Sequence, residues 1–304
     1  MRVLSFTILS MILLSSLSLS GVLCAQELAG VIDFHAHSDP DSVPRSIDAL
    51  DLARLAKSQG MRGLVLKNHF EPTASLAYVV RKEVPGIEAF GGIALDLPVG
   101  GLNPEAIEKM ASVKGGWGRV VWLPTVDSEN DVRRSKENRP FVSVVRDGKI
   151  TPEVVKVLTV IARRDLVLET GHSSAQESLV IIREARQRGI KRIVVTHAMS
   201  PGEDMTVPQM QEAAKMGAYL ELVANGLFMN PPREPDIHEI AAAIKAVGPE
   251  HCILASDLGR ADLPLHPEGL KRFFDGLLKQ GLKQSEIDVM AKVNPAKLLG
   301  LGPA

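Results

Sequence analysis

From residue 30 onward the chain alternates two apolar patterns. Short runs rich in Val, Ile and Leu recur eight times: "GVIDFHAH" (Gly30 to His37), "GLVLKNH" (Gly63 to His69), "GIEAFGGIAL" (Gly86 to Leu95), "RVVWLPT" (Arg119 to Thr125), "LVLETGH" (Leu166 to His172), "RIVVTHA" (Arg192 to Ala198), "AYLELVAN" (Ala218 to Asn225) and "CILASD" (Cys252 to Asp257). Runs this short and continuous suit strands buried on both faces, as a parallel sheet requires. The stretches between them have helical periodicity and readable ends. Ser174 with Glu177 and Asp236 with Glu239 form capping boxes, and Asn103 and Thr151 each precede a first-turn proline. Gly60, Gly189, Gly217 and Gly281 each follow a helical run, where a left-handed residue is expected. Eight strand–helix units predict an α/β fold, a single-domain (β/α)8 barrel over residues 26–304.

One connection is longer than the barrel pattern needs. "VDSENDVRRSKENRPFVSVVRDGKI" follows the fourth strand and carries Arg133, Arg134, Lys136 and Arg139. It predicts a solvated charged loop, a small hairpin, or a lid that recognises an anionic substrate, since loops after barrel strands lie at the catalytic end.

The first residues follow a different pattern. Arg2 precedes an uncharged stretch rich in Leu and Ser from Val3 to Leu23, and Ala25 offers a small residue before a cleavage point. This predicts a secretory signal over residues 1–25 and a periplasmic or secreted mature protein, with an uncleaved anchor as the competing reading. The bulky Leu23 argues against lipid attachment at Cys24. Cleavage after Ala25 leaves Cys252 as the one remaining cysteine, so no intrachain disulfide forms and stability rests on the core. Cys252 itself reads as a small buried hydrophobe.

Composition narrows the function classes. The 304 residues are 45% hydrophobic with a formal net charge of -1, so no global field favours nucleic acid or an anionic membrane surface. Aromatics make up 4%, too few for base-stacking platforms. The expected partner is a small-molecule substrate, an anionic one being suggested by the arginines, with no membrane contact after cleavage; a homo-oligomer is compatible with the chain.

The chemistry lies in where the polar residues fall. His35 and His37 are two apart in a strand, so they project to one face. Lys67 and His69 close the second strand, His172 follows the fifth, His197 closes the sixth and Asp257 the eighth. In a barrel these ends meet at one rim. A lone histidine there is commonly structural, but five of them require a compensating partner for their desolvation, and a metal is the simplest. Glu169 and Glu221 fall within strands, where a buried carboxylate has a salt-bridge or hydrogen-bond role.

"DFHAH", "TGHSS", "VTHAM" and "ASDLG", with "NPAKLLGL" at the C-terminus, together resemble the amidohydrolase superfamily of metal-dependent hydrolases. The likeness spans nearly the whole mature chain. It implies metal ligation by His35, His37, His172, His197 and Asp257. It also departs from the superfamily at the fourth strand, where two-metal members place a carbamylated Lys or a Glu and "VVWLPT" has neither. One zinc-like divalent ion is therefore expected rather than two, with Lys67 as a substitute bridge, an anion binder or a structural residue. Asp257 is expected to shuttle the proton, and His197 or His69 to polarise the electrophilic oxygen. The expected reaction is hydrolysis of a small amide, lactone or ester. "HAHSD" and "KNH" also look like the polymerase-and-histidinol-phosphatase phosphoesterases, although Gly259 stands where that family has a histidine. Phosphoester hydrolysis, decarboxylation and metal or metabolite binding without turnover are the alternatives.

Overall fold

The computed structural model describes residues 28–232 and 235–302. The predicted export segment lies outside these residues. The strands are β1 (Ile32–Ala36), β2 (Gly63–Leu66), β3 (Glu88–Ala94), β4 (Gly118–Trp122), β5 (Val145–Arg146), β6 (Lys149–Ile150), β7 (Val167–Glu169), β8 (Ile193–Val195), β9 (Tyr219–Val223) and β10 (Cys252–Ala255). All but β5 and β6 form one sheet in the order β1-β2-β3-β4-β7-β8-β9-β10, every neighbouring pair parallel. A parallel bridge between Ala36 and Leu258 joins its two edges, with Asp257 N donating to His35 O at 2.8 Å and His37 N to Leu258 O at 3.0 Å. The barrel predicted from the eight apolar runs is thus present, and its seam between first and last strand closes beside the histidine pair.

Two apolar layers hold it together. Ile32, Phe34, Val65, Val120, Trp122, Val167, Val194 and Ile253 fill the barrel interior with Leu298 and Leu299 of the terminal helix Asn294–Leu299. That helix covers the end where strands begin, for Asn294 donates to Cys252 O at 2.7 Å. The outer layer sets Leu52, Ala53 and Ala56 of helix Ala49–Ser58, and Val157, Leu158 and Ile161 of helix Pro152–Arg164, against residues such as Leu64, Val121 and Leu168. Both predicted capping boxes form, and Gly189 and Gly217 take the left-handed backbone expected of helix stops.

A bulge in β1 aims the histidines. Ile32 pairs with Gly63 and Asp33 with Leu64, yet Ala36 pairs with Leu66, so β1 carries one extra residue between positions 33 and 36. Ile32 and Phe34 face the interior; the extra residue shifts the alternation so that His35 and His37 can share that side while Ala36 packs outward. Asp33 accepts from His35 N at 3.3 Å and from Ser256 N at 2.9 Å, which satisfies the bulge and ties it to the strand across the seam.

The long connection after β4 is a short helix, Glu129–Arg134, followed by the β5–β6 hairpin. Among the described residues no helix is long and apolar enough to cross a membrane.

Candidate metal centre

Five imidazoles form a closed ring at the strand ends. Ring centroids are 5.2 Å apart for His35 and His37, 5.0 Å for His37 and His69, 6.0 Å for His69 and His172, 5.0 Å for His172 and His197, and 6.0 Å for His197 and His35. All five histidines singled out in the sequence therefore converge. His37, His69, His172 and His197 line the base of a cleft of about 810 Å³ whose walls include Arg45, Arg134, Arg260 and Asn225, and His35 is fully buried behind them.

Within the ring, His35, His37 and Asp257 bring one ligand atom each to within 4.8 Å of one another. Asp257 Oδ1 lies 3.0 Å from His35 Nε2 and 3.1 Å from His37 Nε2. Its other oxygen accepts from Asn225 Nδ2 at 2.7 Å, which fixes the carboxylate's rotation. Burial favours the neutral acid of Asp257, but the charge of His35 and hydrogen bonds from His35 and His37 outweigh it and hold the carboxyl well below its usual range. Asp257 sits at φ 47 and His197 at φ 26, backbone conformations uncommon for residues with a Cβ, and both fall where a strand end delivers a side chain to the ring.

Carboxylates behind the ring orient it. Glu221, on β9, lies 3.2 Å from His35 Nδ1 and also accepts from His197 N at 3.0 Å. Glu203 stands 3.3 Å from His197 Nδ1, and Asp131 stands 3.3 Å from His172 Nδ1. The outer nitrogens of three imidazoles thus face carboxylates, an arrangement that turns the inner nitrogens toward the cleft. Burial opposes a charge on His197, but Glu203 overcomes it and lifts its pKa to about 10. His37 has no such carboxylate, and burial drives its pKa well down; its Nδ1 makes no hydrogen bond, and His197 Nδ1 meets Glu203 as an ion-pair neighbour rather than in a well-aligned hydrogen bond.

The donor set fits a metal ion. His35 Nδ1 faces Glu221, its Nε2 faces both Asp257 Oδ1 and Lys67 Nζ at 3.0 Å, and His37 Nε2 faces the same Asp257 oxygen at 3.1 Å. The Asp257 carboxylate draws positive charge to this point, which the imidazole protons and the Lys67 ammonium can supply and which a cation would supply in place of the imidazole protons. Two imidazole nitrogens and one carboxylate oxygen form a set that zinc and its neighbours favour, with room for water in a fourth position.

The structure gives three sequence-based expectations a definite geometry. His172 and His197 join the imidazole ring but lie outside the tight three-residue group. Lys67 is 1% exposed and lies at the floor of the cleft rather than on its rim: its Nζ is 3.0 Å from His35 Nε2 and 5.6 Å from the centre of the Trp122 ring. Burial lowers its pKa against the pull of Asp257, Glu221 and Glu169. Arg133 leaves the cleft, pairing with Glu129 at 2.6 Å and lying over Phe141, whereas Arg134 lines it. Trp122, fully buried on β4, fills the interior 6.2 Å from His35, where the expected departure from a two-metal pattern falls. The sequence reading passed over Glu203, Asp131, Asp96, Thr125 and Asn225; Asp96, Thr125 and Asn225 are polar residues just past a strand end, the same signal that picked out the histidines.

Comparison with solved structures finds the same barrel fold at low sequence identity. It is similar to the probable dipeptidase PvdM from Pseudomonas aeruginosa, with 11% identity, 93% of this chain and 97% of that chain covered, and a TM-score of 0.65. It is also similar to an amidohydrolase from Burkholderia multivorans with bound zinc, at 14% identity, 90% and 100% coverage and a TM-score of 0.60. A third similar structure is 2,6-dihydroxybenzoate decarboxylase from Rhizobium, at 12% identity, 90% and 99% coverage and a TM-score of 0.55. Residues 30–221 match DUF6282, a family of unknown function, and the chain belongs to that family. No curated protein matches the sequence.

Proposed function

We propose that this protein is a metal-dependent hydrolase acting on a small molecule through one divalent ion, zinc being the best fit. The observation that carries this reading is the approach of His35 Nε2 and His37 Nε2 to a single oxygen of Asp257, inside a closed ring of five imidazoles. His35, His37 and Asp257 would hold the ion, with His197 and His172 next in reach. When bound there, such an ion would supply a Lewis acid and bring the pKa of a water down toward about 7. The chain's own residues do the rest. Glu221 keeps the His35 lone pair directed inward, and Asn225 keeps Asp257 Oδ1 turned to the histidines. Burial of Trp122 on β4, with no carboxylate or lysine in that place, favours one ion over two.

At the mouth, Arg45 is nearly buried and clamped by Asp41 at 2.6 Å, and Arg134 and Arg260 flank the same cleft. These guanidinium groups suit a substrate carrying a carboxylate or another anionic group beside its scissile amide, ester or lactone bond. We further infer that residues 1–25 direct export and are removed, which makes the enzyme periplasmic or secreted; a mature mass starting near Gln26 is the expected result.

The decisive experiment is metal quantification on the purified protein together with a panel of lactone, ester and amide substrates, with and without chelator. About one equivalent of metal and chelator-sensitive hydrolysis are expected, both lost in His35→Ala and His37→Ala. Metal-free protein with full hydrolytic activity would overturn the reading.

A further inference from the structure

Beside the ring runs a second polar chain that the metal does not need. His69 Nδ1 lies 2.8 Å from Thr125 Oγ1. The Thr125 hydroxyl in turn meets Asp96 Oδ2 in a short hydrogen bond. Asp96 is fully buried, and its Oδ1 accepts two backbone N–H groups, from Thr125 at 2.8 Å and from Asp127 at 3.0 Å. The three residues come from the loops after β2, β3 and β4, so three barrel strands converge to build this chain.

The hydrogen-bond inventory fixes its polarity. A carboxylate with two amides on one oxygen can only accept at the other, so the single Thr125 hydroxyl proton points to Asp96. Thr125 Oγ1 is then left with lone pairs, and the bond to His69 requires the imidazole to donate from Nδ1. His69 is thereby held with its Nε2 lone pair free. Among the described residues Nε2 has no hydrogen-bond partner, and His69 lines the cleft between His37 and His172.

We propose that His69, Thr125 and Asp96 form a proton relay from the cleft into the protein. His69 takes a proton from the substrate or an attacking water at Nε2; its Nδ1 proton passes to Thr125 Oγ1, and the Thr125 hydroxyl proton passes to Asp96 Oδ2. The relay ends with one proton gained at Nε2 and one at Asp96, one lost from Nδ1, and the charge moved away from the imidazole. The reverse transfer returns the proton to a leaving group. His69 is the catalytic residue here, and Thr125 and Asp96 position it. Burial raises the Asp96 pKa, which suits a terminal acceptor that must hold a proton briefly. The relay rests on the hydrolase reading only for the identity of the molecule that gives up the proton.

Its polarity makes the relay testable without turnover. In Asp96→Asn the two backbone amides keep the side-chain oxygen where it is, which turns the amide N–H toward Thr125 Oγ1. The Thr125 hydroxyl must then donate to His69 Nδ1, and the imidazole must switch to the Nε2–H form. Nitrogen NMR of histidine-labelled protein, with its metal bound, reads the two tautomers directly. Expected are Nδ1–H in the unaltered protein and in Thr125→Ser, Nε2–H in Asp96→Asn, and loss of the fixed Nδ1–H signature in Thr125→Val. On the best substrate from the hydrolase panel, kcat should fall about ten- to a hundredfold in Thr125→Val and in Asp96→Asn with KM little changed, and return in Thr125→Ser. An unaltered His69 tautomer in folded Asp96→Asn would overturn the relay, as would equal kcat in Thr125→Val and Thr125→Ser. Absence of hydrolysis in the unaltered protein would instead strike the function proposed above and leave the tautomer pattern intact.

Discussion

Glu221 Oε2 lies 3.2 Å from His35 Nδ1 while accepting the backbone N–H of His197 at 3.0 Å, so one buried carboxylate sets two neighbouring members of the imidazole ring. Its role is orientation and charge, because its own position on β9 keeps it behind the donor atoms. Outer partners of this kind commonly govern metal affinity by about ten- to a hundredfold. Glu221→Gln, which preserves shape but removes the charge and half the accepting capacity, should weaken metal binding by that factor with a nearly normal fold. Competition against a chelator of known affinity measures it, and an unchanged Kd would show that Glu221 is only a packing residue.

Asp257 carries the seam as well as a donor oxygen. The sequence assigns it two expected roles, ligand and proton shuttle, and its Oδ1 at 3.0 and 3.1 Å from two imidazole nitrogens favours the first. Asp257→Asn should therefore lose metal affinity and turnover together, with kcat at saturating metal at least a hundredfold down. Metal content, Tm and kcat on one preparation check this. Normal turnover with metal retained would remove Asp257 from the chemistry.

The two adjacent arginines of the long connection give a paired control. Arg134→Ala should raise KM for anionic substrates, since Arg134 lines the cleft, while Arg133→Ala should leave kinetics unchanged because its guanidinium is engaged by Glu129 and Phe141 outside it. Equal effects on neutral and acidic substrates would count against anion recognition.

Cys252 supplies a pH dependence with a definite sign. Burial pushes its thiol pKa from 9.0 up to about 12. The unfolded chain releases the proton first, so the folded state binds more protons between those values and stability falls as pH rises through that window. The stabilisation is fully present below about pH 9 and is lost by up to about 1.4 kcal/mol per pH unit above it. Urea titrations of the protein and Cys252→Ala at pH 8 and pH 10 should show the difference between them shrink. Alkylating reagents should reach the thiol only after unfolding.

Gly92 tests the barrel interior. A Cβ there would stand 2.2 Å from Val120 O and 2.4 Å from the Trp122 ring, so neither backbone nor a rigid indole can yield cheaply. Gly92→Ala should cost about 1–3 kcal/mol, as overpacked cores do, seen as a lower Tm. A Tm equal to that of the unaltered protein would mean β3 and β4 can separate without penalty.

Periodicity made the barrel legible because apolar runs of this length have one economical arrangement, and the histidines were legible because each stood just beyond such a run. The bulge between Asp33 and Ala36 was hidden, since alternation within "IDFHAH" gives no sign of an extra residue. The burial of Lys67 was hidden for a related reason: a lysine at a strand end gives no sign of how deep it lies, and the carboxylates of Asp257, Glu221 and Glu169 that oppose the cost of its burial come from other strands. Glu203 and Asp131 reach their histidines from loops and a short helix, where position in the chain carries little information about direction. Asp96 and Thr125 obeyed the strand-end rule, but neither residue type suggests a ligand.

The closure of the barrel between β1 and β10 also sets when the centre can come into being. A growing chain that has not yet reached residue 257 already contains all five histidines, yet it lacks both the Asp257 carboxylate and the partner strand whose backbone clasps His35 and His37. The first and last units of the barrel must meet before three donor atoms share one point. On the proposed reading, chains that end before residue 257 are born inactive, and capture of the ion would report that the polypeptide has been extended through its last strand and folded from end to end.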